Sequence, residues 1–541
     1  MNKQRIFDHL LKLCAVPSIS GSDGERAMPD TIRACLMEHA YFQKHPDFID
    51  IFTIPQAAEK ESYIFARYEC ERKTEKTILL LSHFDVVAID EYGAGKPYAF
   101  DPIAYEDFLK KGKVHLDEES QADLESGHYL FGRGVCDMKW GLAADMEVLF
   151  HFAEHPDEAE ANVLLVSVPD EERNSMGMLA AVPQLLAYQR KHNLKIEHCI
   201  VSEPDISPDK CMNGKRMFIG AAGKIMPLFY CVGKETHVGD PYFGLNPNTL
   251  CSAIVERMEL DPNFIDTAKG YETPAPTCLK QSDCKTNYSV QTPYDAYCYF
   301  NLMTLSKTPD VIMKELIDLA EDAFAAVLKK RIEYHHAALK KVGKHIPINE
   351  YPVNVMTYQQ LYQRCEQLHG QTFVTHMQTF IKQLKNDDLR KMSLAVVQEA
   401  HTFLDDRNPI IILSFTPPYY PHSGFLHEDA VLRKACERIV CDGEAIQETY
   451  HINDCFNGLT DMSYLSLREP VDIDSLTKNF PLWGIHYEVP LQKIRDLNID
   501  FVNFGPLGKD PHKYTERIDL EYSMEKAPVL LLKLVRYLSE S

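Results

Sequence analysis

The segment "LLLSHFDVV" (residues 79–87) ends an apolar run with a histidine and an aspartate two positions apart. A short apolar run bounded by polar residues predicts a buried strand of a parallel sheet. Open α/β sheets bind their ligands beyond the carboxyl ends of their strands. His83 and Asp85 share one side of the chain. The segment therefore predicts an α/β fold with a functional edge.

The first 220 residues repeat this pattern. The apolar runs "NVLLVSV" (162–168) and "HCIVS" (198–202) predict further strands. Between strands, "GLAADMEVLFHF" carries Leu142, Met146, Leu149 and Phe150 at helical spacing. This alternation predicts a mostly parallel sheet with helices on both faces.

The sequence changes character near residue 225, which predicts an inserted domain. We expect an α/β domain formed by 1–224 and 408–541, interrupted by an inserted α+β domain at 225–407. Residues 340–405 look almost wholly helical and would form an extension of the inserted domain. The runs "NPIIILSFTPPYY" (408–420) and "IDFVNFGPLG" (499–508) would return strands to the α/β domain.

Composition excludes several classes of protein. The 541 residues carry a formal charge of -22, which opposes binding to nucleic acid. No apolar run approaches the roughly 18 residues that span a bilayer, and Asp8, His9 and Lys12 interrupt any signal-peptide core. The 15 cysteines include no C-x-x-C pair, as expected of reduced packing thiols. We therefore expect a cytoplasmic protein that binds neither nucleic acid nor membrane.

Chemically active side chains follow the predicted strands. Two histidines and several carboxylates would meet at one edge of the sheet: His83, Asp85, Asp137 in "GRGVCDMKWG", Glu171, Glu172, Glu203 and His512. Clustered carboxylates repel one another unless a positive charge lies among them. A pair of divalent ions would supply that charge. Imidazole and carboxylate ligands suit zinc, with cobalt or manganese as alternatives.

Each motif also has a structural interpretation. With 22 histidines in the chain, one H-x-D triplet could be accidental. A second D-E-E at residues 117–119 follows the polar segment "KKGKVHL" and is expected in a solvated loop. His151 and His155 lie four apart at a predicted helix end, and Cys136 is small. We expect these last three to be structural.

Six motifs in order support a family resemblance: "LSHFDVV", "GRGVCDMKWG", "PDEERNSMG", "SEPD", "GKETHVGDPYFGLNP" and "FGPLGKDPHKYTE". Together they resemble the co-catalytic zinc hydrolases that include aminoacylase, carboxypeptidase G, succinyl-diaminopimelate desuccinylase and bacterial dipeptidases. The resemblance implies that 1–224 with 408–541 is the catalytic domain and that 225–407 is its lid. The helical extension of the lid and "GLTDMSYLS" (458–466) look most like the bacterial arginine-utilisation proteins.

The resemblance implies a role for each matching residue. Asp137 would bridge two metal ions, and Glu171 would be the general base. Asp85 would orient His83, and the lid residue His237 would stabilise the oxyanion. The metal ligands on the two sides of Asp137 would be His83 with Glu203, and Glu172 with His512. The resemblance also implies a cis peptide bond between Asp137 and Met138.

The function implied is metal-dependent hydrolysis of an amide bond in an N-acyl amino acid or short peptide, in amino-acid or arginine catabolism. Glu203 rather than aspartate favours a deacylase or carboxypeptidase. The family's carboxylate-binding arginine is missing near Met303, where Lys307 or Arg216 could substitute. The alternatives are a dipeptidase or aminopeptidase, and a non-catalytic metal-binding or regulatory relative. A homodimer through the lid and a monomer both fit the sequence.

Overall fold

The computed structural model describes residues 1–55, 60–205, 214–343, 345–386, 388–456, 458–468 and 471–540. The chain forms two compact units. The first comprises Met1–Ala221, Ser423–Arg468 and Pro490–Ser541, and the second comprises Ala222–His422 and Glu469–Val489.

The strands within the described residues have the following bounds: β1 (Ile49–Thr53), β2 (Ser62–Tyr68), β3 (Lys76–His83), β4 (Tyr129–Phe131), β5 (Asn162–Val168), β6 (Lys195–Val201), β7 (Lys215–Phe218), β8 (Gly223–Ile225), β9 (Pro227–Val232), β10 (Thr267–Ala268), β11 (Tyr271–Glu272), β12 (Thr277–Asp283), β13 (Asp295–Thr304), β14 (Val355–Thr357), β15 (Ile410–Phe415), β16 (Tyr450–Asn453), β17 (Asp500–Asn503), β18 (Gly508–Lys509) and β19 (Arg517–Asp519).

The α-helices in the same ranges are α1 (Lys3–Cys14), α2 (Asp23–Leu36), α3 (Ala40–Lys44), α4 (Pro102–Leu109), α5 (Glu118–Ser126), α6 (Lys139–Glu154), α7 (Met176–His192), α8 (Pro247–Met258), α9 (Pro309–Val342), α10 (Tyr358–His369), α11 (Gln371–Gln383), α12 (Leu389–Thr402), α13 (Val431–Ala445), α14 (Ile473–Lys478), α15 (Leu491–Leu497) and α16 (Ala527–Ser539). Short 3-10 turns occupy Pro46–Phe48, Asp90–Tyr98, Pro156–Glu158, Pro262–Phe264 and Asp461–Tyr464, and a π-helical turn spans Tyr522–Lys526.

The first unit is built on an eight-stranded sheet with the order β1-β2-β5-β3-β6-β17-β7-β16. Its centre is parallel, because β3 pairs in parallel with β5 and β6, and β6 pairs in parallel with β17. The antiparallel strands β1 and β2 lie at one edge. The predicted α/β class with a mostly parallel sheet is confirmed, and the opening segment forms the centre of that sheet.

Helix α6 packs inside the first unit rather than on its surface. Its residues from Lys139 to Phe150 are all buried. Trp140 is completely buried, and its indole Nε1 donates to the carbonyl oxygen of Ser523 at 2.8 Å. Burial on every side explains why this helix has no polar face in the sequence.

The second unit contains a mixed sheet with the order β12-β13-β9-β15-β14, to which β8 adds by pairing with β13. Strand β15 pairs antiparallel with β9 over its whole length, from Ile410 opposite Val232 to Phe415 opposite Pro227. This pairing places residues 408–422 in the second unit, whereas the sequence assigned them to the catalytic domain. Residues Glu469–Val489 also belong to the second unit.

The helical extension of the second unit differs in detail from the expected one. Helix α9 runs for 34 residues, to Val342, and none of the described residues between α9 and β14 is helical. Helix α10 begins at a capping box formed by Thr357 and Gln360. In the described part of the chain, no helix combines the length and the apolar character needed to cross a bilayer.

Candidate metal centre

The chemically active side chains of the first unit lie at the carboxyl ends of its central strands. His83 is the last residue of β3, and Glu203 follows β6 by two residues. The loop after β5 carries Glu171 and Glu172. These three strands are neighbours in the sheet, so their ends meet at one edge.

Two loops complete the cluster. Asp137 lies in the turn that precedes α6, and its peptide bond to Met138 is cis, as the resemblance implied. His512 lies in the turn after β18 and has a positive φ of 64°. The structure thus brings together residues from both ends of the chain.

The cluster has two halves that share Asp137. Its Oδ1 lies 3.1 Å from Nε2 of His83, and its Oδ2 lies 3.1 Å from Nε2 of His512. Nε2 of His83 is also 3.5 Å from Oε1 of Glu203. Nε2 of His512 is 3.0 Å from Oε1 of Glu172. Each half therefore offers one imidazole and two carboxylates.

The electrostatics of the cluster call for a positive charge. Burial, followed by the charge of Asp137, raises the pKa of Glu172 to about 7. Burial also raises the pKa of Glu203 and, together with the charges of Glu203 and Asp461, raises the pKa of Glu171 well above its usual range. These carboxyl groups cannot all ionise at neutral pH without a cation among them.

The histidines show the complementary effect. Burial opposes the charged form of His83, but Glu203, Asp137 and Asp85 together raise its pKa well above the usual range. Hydrogen bonds that its imidazole donates to the carboxylates of Asp137 and Glu172 raise the pKa of His512 to about 11. A metal ion bound at this position would instead favour the deprotonated form of both imidazoles.

The donor set fits two divalent ions. In each half, the ligand atoms lie within 4.8 Å of one another: His83, Asp137 and Glu203 in one, and Asp137, Glu172 and His512 in the other. Imidazole nitrogen with carboxylate oxygen is a usual ligand combination for zinc. The two halves together form a dinuclear arrangement in which Asp137 is shared.

Asp85 connects the two strand ends. Its carbonyl oxygen lies 3.1 Å from Nδ1 of His83, and its Oδ1 lies 3.4 Å from the same nitrogen. Its carboxylate also accepts hydrogen bonds from the backbone N–H groups of Glu171 at 3.1 Å and Glu172 at 3.2 Å. The hydroxyl of Ser20 donates to it at 2.7 Å. Asp85 therefore contacts both a histidine and the loop that carries the expected base.

A buried ion pair supports the turn of Asp137. Arg133 Nη1 donates to Oε2 of Glu516 at 2.6 Å, and each side chain is 1% exposed. Oε1 of Glu516 accepts from the backbone N–H groups of Cys136 and Asp137, both at 3.4 Å. The sequence analysis missed Glu516, although it lies four residues after His512 in a quoted motif.

Asp461 is a second carboxylate that the sequence analysis did not single out. It is 4% exposed, and burial raises its pKa to about 8, while a hydrogen bond with Ser175 opposes that rise. Its charge acts on Glu171. The segment "GLTDMSYLS" contains it, but only the fold shows that it approaches the base.

His237 belongs to the second unit, where it lies exposed in a loop between β9 and α8. Met303 is 6% exposed in β13. The two suggested substitutes for the missing arginine are both paired with carboxylates. Lys307 lies 2.9 Å from Glu315 in the second unit, and Arg216 lies 3.2 Å from Asp205 in the first.

The remaining sequence motifs have structural roles. Asp117 of the second D-E-E caps α5 by accepting from the N–H of Ser120, so this segment starts a helix rather than a loop. His151 lies 3.1 Å from Glu158, and Cys136 is buried. A third possible group of ligands joins His9, Cys35 and Glu38, but Lys12 already binds Glu38 at 2.7 Å.

Comparison with known proteins agrees with this geometry. Residues 79–472 match peptidase family M20/M25/M40. The uncharacterized protein YqjN of Bacillus subtilis (strain 168) is 35% identical over 537 residues, covering 98% of this chain and 95% of YqjN. Protein RocB of the same organism is 30% identical over 550 residues, covering 99% of this chain and 95% of RocB.

The fold also matches a solved structure. The aminopeptidase PepT of Bacillus cereus superposes with a TM-score of 0.55 at 12% identity, covering 99% of both chains. The family match over most of the chain and the paired ligand groups around Asp137 lead to one conclusion. The chain is a metal-dependent hydrolase that belongs to peptidase family M20/M25/M40.

Proposed function

We propose that this protein hydrolyses the amide bond of an N-acyl amino acid or a short peptide, with two zinc ions as cofactors. The observation that carries the proposal is the position of Asp137, whose two carboxylate oxygens each face a different histidine at 3.1 Å. His83 and Glu203 would hold one ion, Glu172 and His512 the other, and Asp137 both.

When bound, the two ions supply Lewis acidity that lowers the pKa of a water and polarises an amide carbonyl. Glu171 is the proposed general base. Burial keeps the pKa of this carboxyl group high, which suits a group that must accept a proton from water and return it. It would pass that proton to the leaving amide nitrogen, so the amine departs neutral.

His237 is proposed to donate a hydrogen bond to the oxyanion that forms during attack. Asp85 would keep His83 and the loop of Glu171 in fixed orientations through the bonds described above. The resemblance to arginine-utilisation proteins supports a role in amino-acid catabolism. We propose the cytoplasm as the site of action, consistent with the cysteines of the described residues, which are all free thiols.

Metal content and substrate class are tested together. We expect about two zinc ions per chain by elemental analysis, and turnover of N-acetylated amino acids, including N-acetylated arginine. Glu171→Gln should lower kcat by about 10³-fold or more while leaving metal content and folding unchanged. Glu118→Gln is the matched control, because it changes the exposed D-E-E segment and should leave kcat unchanged.

Other outcomes would assign a different function. Turnover of free dipeptides but not of N-acetylated amino acids would identify a dipeptidase or aminopeptidase. Two bound metal ions with no hydrolysis of either class would favour a binding or regulatory protein. Absence of metal after incubation with zinc would overturn the proposed centre.

A further inference from the structure

The loop that carries His237 is held by hydrogen bonds on one side. We define the lid loop as residues 236–243. Backbone bonds between Lys234 and Leu245, at 2.8 and 2.9 Å, close its base. The N–H of Val238 donates to the carbonyl of Val290 at 2.9 Å. These contacts hold the base of the lid loop and Val238. Tyr242 and Phe243, at the far end of the loop, form hydrogen bonds with other residues.

The far end contacts residues that lie 89 to 108 positions later in the chain. Asn349 donates from its backbone N–H to the carbonyl of Tyr242 at 3.1 Å, and from its side-chain amide to the carbonyl of Phe243 at 2.9 Å. The Tyr351 hydroxyl donates to the same Phe243 carbonyl at 2.5 Å. Arg331 of α9 donates to the carbonyl of Tyr242. Two consecutive carbonyls therefore accept four hydrogen bonds from α9 and the segment that follows it.

Arg331 also orders the segment that makes the other contacts. Its Nη1 donates to the carbonyl oxygen of Asn349 at 2.5 Å, and its guanidinium lies 5.4 Å from the ring centre of Tyr351. The guanidinium of Arg331 thus contacts both the lid loop and the two residues, Asn349 and Tyr351, that bind the loop. Two acceptors in different segments suit the forked geometry of arginine. We call Arg331, Asn349 and Tyr351 the loop clamp.

A hydrogen bond within the lid loop determines the tautomer of the neutral His237 ring. The N–H of Gly239 donates to Nδ1 of His237 at 3.0 Å, so a neutral ring carries its proton on Nε2. The N–H of Asp240 donates to the carbonyl of His237 at 2.9 Å, and the N–H of Phe243 donates to the carbonyl of Asp240 at 3.1 Å. These turns connect the clamped residues directly to the histidine.

We infer that the loop clamp positions His237 as an Nε2–H donor, so that the helical extension of this chain prepares its own lid histidine for catalysis. The inference rests on the proposed function, in which His237 stabilises the oxyanion. Phe243 is exposed and Tyr242 half-buried, so water could satisfy their carbonyls. The clamp therefore serves the order of the loop more than the stability of the fold.

Arg331→Met tests the inference, with Arg257→Met as a matched control. Both arginines line the same cavity of about 740 Å³ between α8 and α9. Among the described residues, however, Arg257 donates only to Ala253 in its own helix, at 3.0 Å. Hydrogen exchange of the lid loop is measured in the full-length metal-loaded protein, and kcat and KM are measured separately.

We expect Arg331→Met to speed exchange of the Gly239 and Asp240 amides by about tenfold or more, and to lower kcat by about tenfold with less than threefold change in KM. Arg331→Lys should restore part of the loss, because lysine can reach one carbonyl but not both acceptors. Arg257→Met should match the wild type in both measurements. In a His237→Ala background, Arg331→Met should lower kcat no further.

Unchanged exchange and unchanged kcat in Arg331→Met would overturn the inference. An equal loss of kcat with and without His237 would also overturn it, because the clamp would then act elsewhere. A wild-type protein that hydrolyses nothing would instead overturn the proposed function. In that case the claim that the loop clamp prepares His237 for catalysis is also overturned. The hydrogen-exchange data would still decide whether Arg331 orders the lid loop.

Discussion

At the scale of single residues, the centre depends on side chains that serve two neighbours at once. Asp137 faces two histidines, and Asp85 contacts His83 as well as the backbone of Glu171 and Glu172. Such shared contacts couple the two halves of the site. A change at one residue should therefore alter both the ligands and the base.

Asp85→Asn tests this coupling. The amide of asparagine has one accepting oxygen, so one of the backbone N–H groups of the Glu171 loop loses its partner. We expect metal affinity to fall by about 10- to 100-fold and kcat to fall with it. Metal retention during dialysis against a graded chelator measures the first effect. Ser20→Ala, which removes one hydrogen bond to Asp85, is the milder control, and an equal loss in both variants would contradict the assignment.

The buried pair of Arg133 and Glu516 gives a second prediction. Arg133→Met leaves the Glu516 carboxylate buried without its cation, so we expect a loss of about 3–5 kcal/mol of stability. The double variant Arg133→Met/Glu516→Leu should recover much of that loss, since the buried carboxylate is then gone and the Glu91 carboxylate, which also pairs with Arg133, is 38% exposed to water. Urea denaturation of the full chain measures the free energy of unfolding of the single and the double variant. A double variant no more stable than the single one would show that packing, not charge, dominates.

At the scale of elements, the ends of strands set the geometry of the centre. Gly505 follows β17 and lies against the end of β6, where a Cβ atom would approach the carbonyl oxygen of Glu203 to 2.0 Å. Glycine is therefore required at position 505 because a Cβ atom has no room there, and not because of an unusual backbone conformation.

Gly505→Ala should displace Glu203 and weaken the metal half formed with His83. We expect a destabilisation of at least about 1–3 kcal/mol, because backbone cannot move aside as a flexible side chain can. Gly112→Ala is the control: its Cβ would meet no atom within 4 Å, but its φ is +66°. Backbone strain alone should cost about 1 kcal/mol there and leave metal content unchanged. Full metal content in Gly505→Ala would refute the steric argument.

Helix α12 of the second unit provides a prediction for pH. Burial, and then the charge of Arg407, lowers the pKa of His401 to about 4. An unfolded histidine has a pKa of about 6.5, so between these values the unfolded state binds a proton that the folded state does not. Stability should be full above pH 6.5 and fall by up to about 3 kcal/mol as the pH drops toward 4.

His401→Phe keeps an aromatic ring but cannot be protonated. The difference in Tm between pH 7.5 and pH 5.0 should therefore be smaller in the variant than in the wild type. Tyr230 and Tyr294, whose ring centres lie 6.0 and 6.4 Å from that of His401, should keep their contacts. An equal pH effect in both proteins would assign the acid sensitivity to other groups.

At the scale of the whole molecule, the sequence predicts the site residues that lie at the ends of apolar strands. It does not predict the residues whose position depends on contacts between distant parts of the chain. His83 and Glu203 were predictable because each follows an apolar run, and the fold brings such ends together. Glu516 and Asp461 were not, since a buried carboxylate acts through partners distant in the chain. Strand β15 illustrates the same limit: its apolar run fits either sheet, and only its pairing with β9 assigns it.

Removal of metal is the prediction that tests the molecule as a whole. The sequence carries 79 acidic residues against 57 basic ones, so the centre cannot rely on a surrounding positive field. Without cations, the carboxyl groups of Glu171, Glu172 and Glu203 must take up protons or repel one another. Ions that bind only the folded state at about 1,000 times their Kd should add about 4 kcal/mol of stability.

We therefore expect chelator to remove about two ions per chain, lower the Tm and abolish hydrolysis, with all three restored by zinc. His83→Ala should retain fewer ions and show a smaller chelator effect, whereas Glu171→Gln should keep both ions and the full effect. The two variants separate ligand from base, because both lose activity but only one loses metal. A Tm that chelator does not change, in a protein that binds no zinc, would mean that buried protons alone stabilise the cluster and that Asp137 bridges nothing.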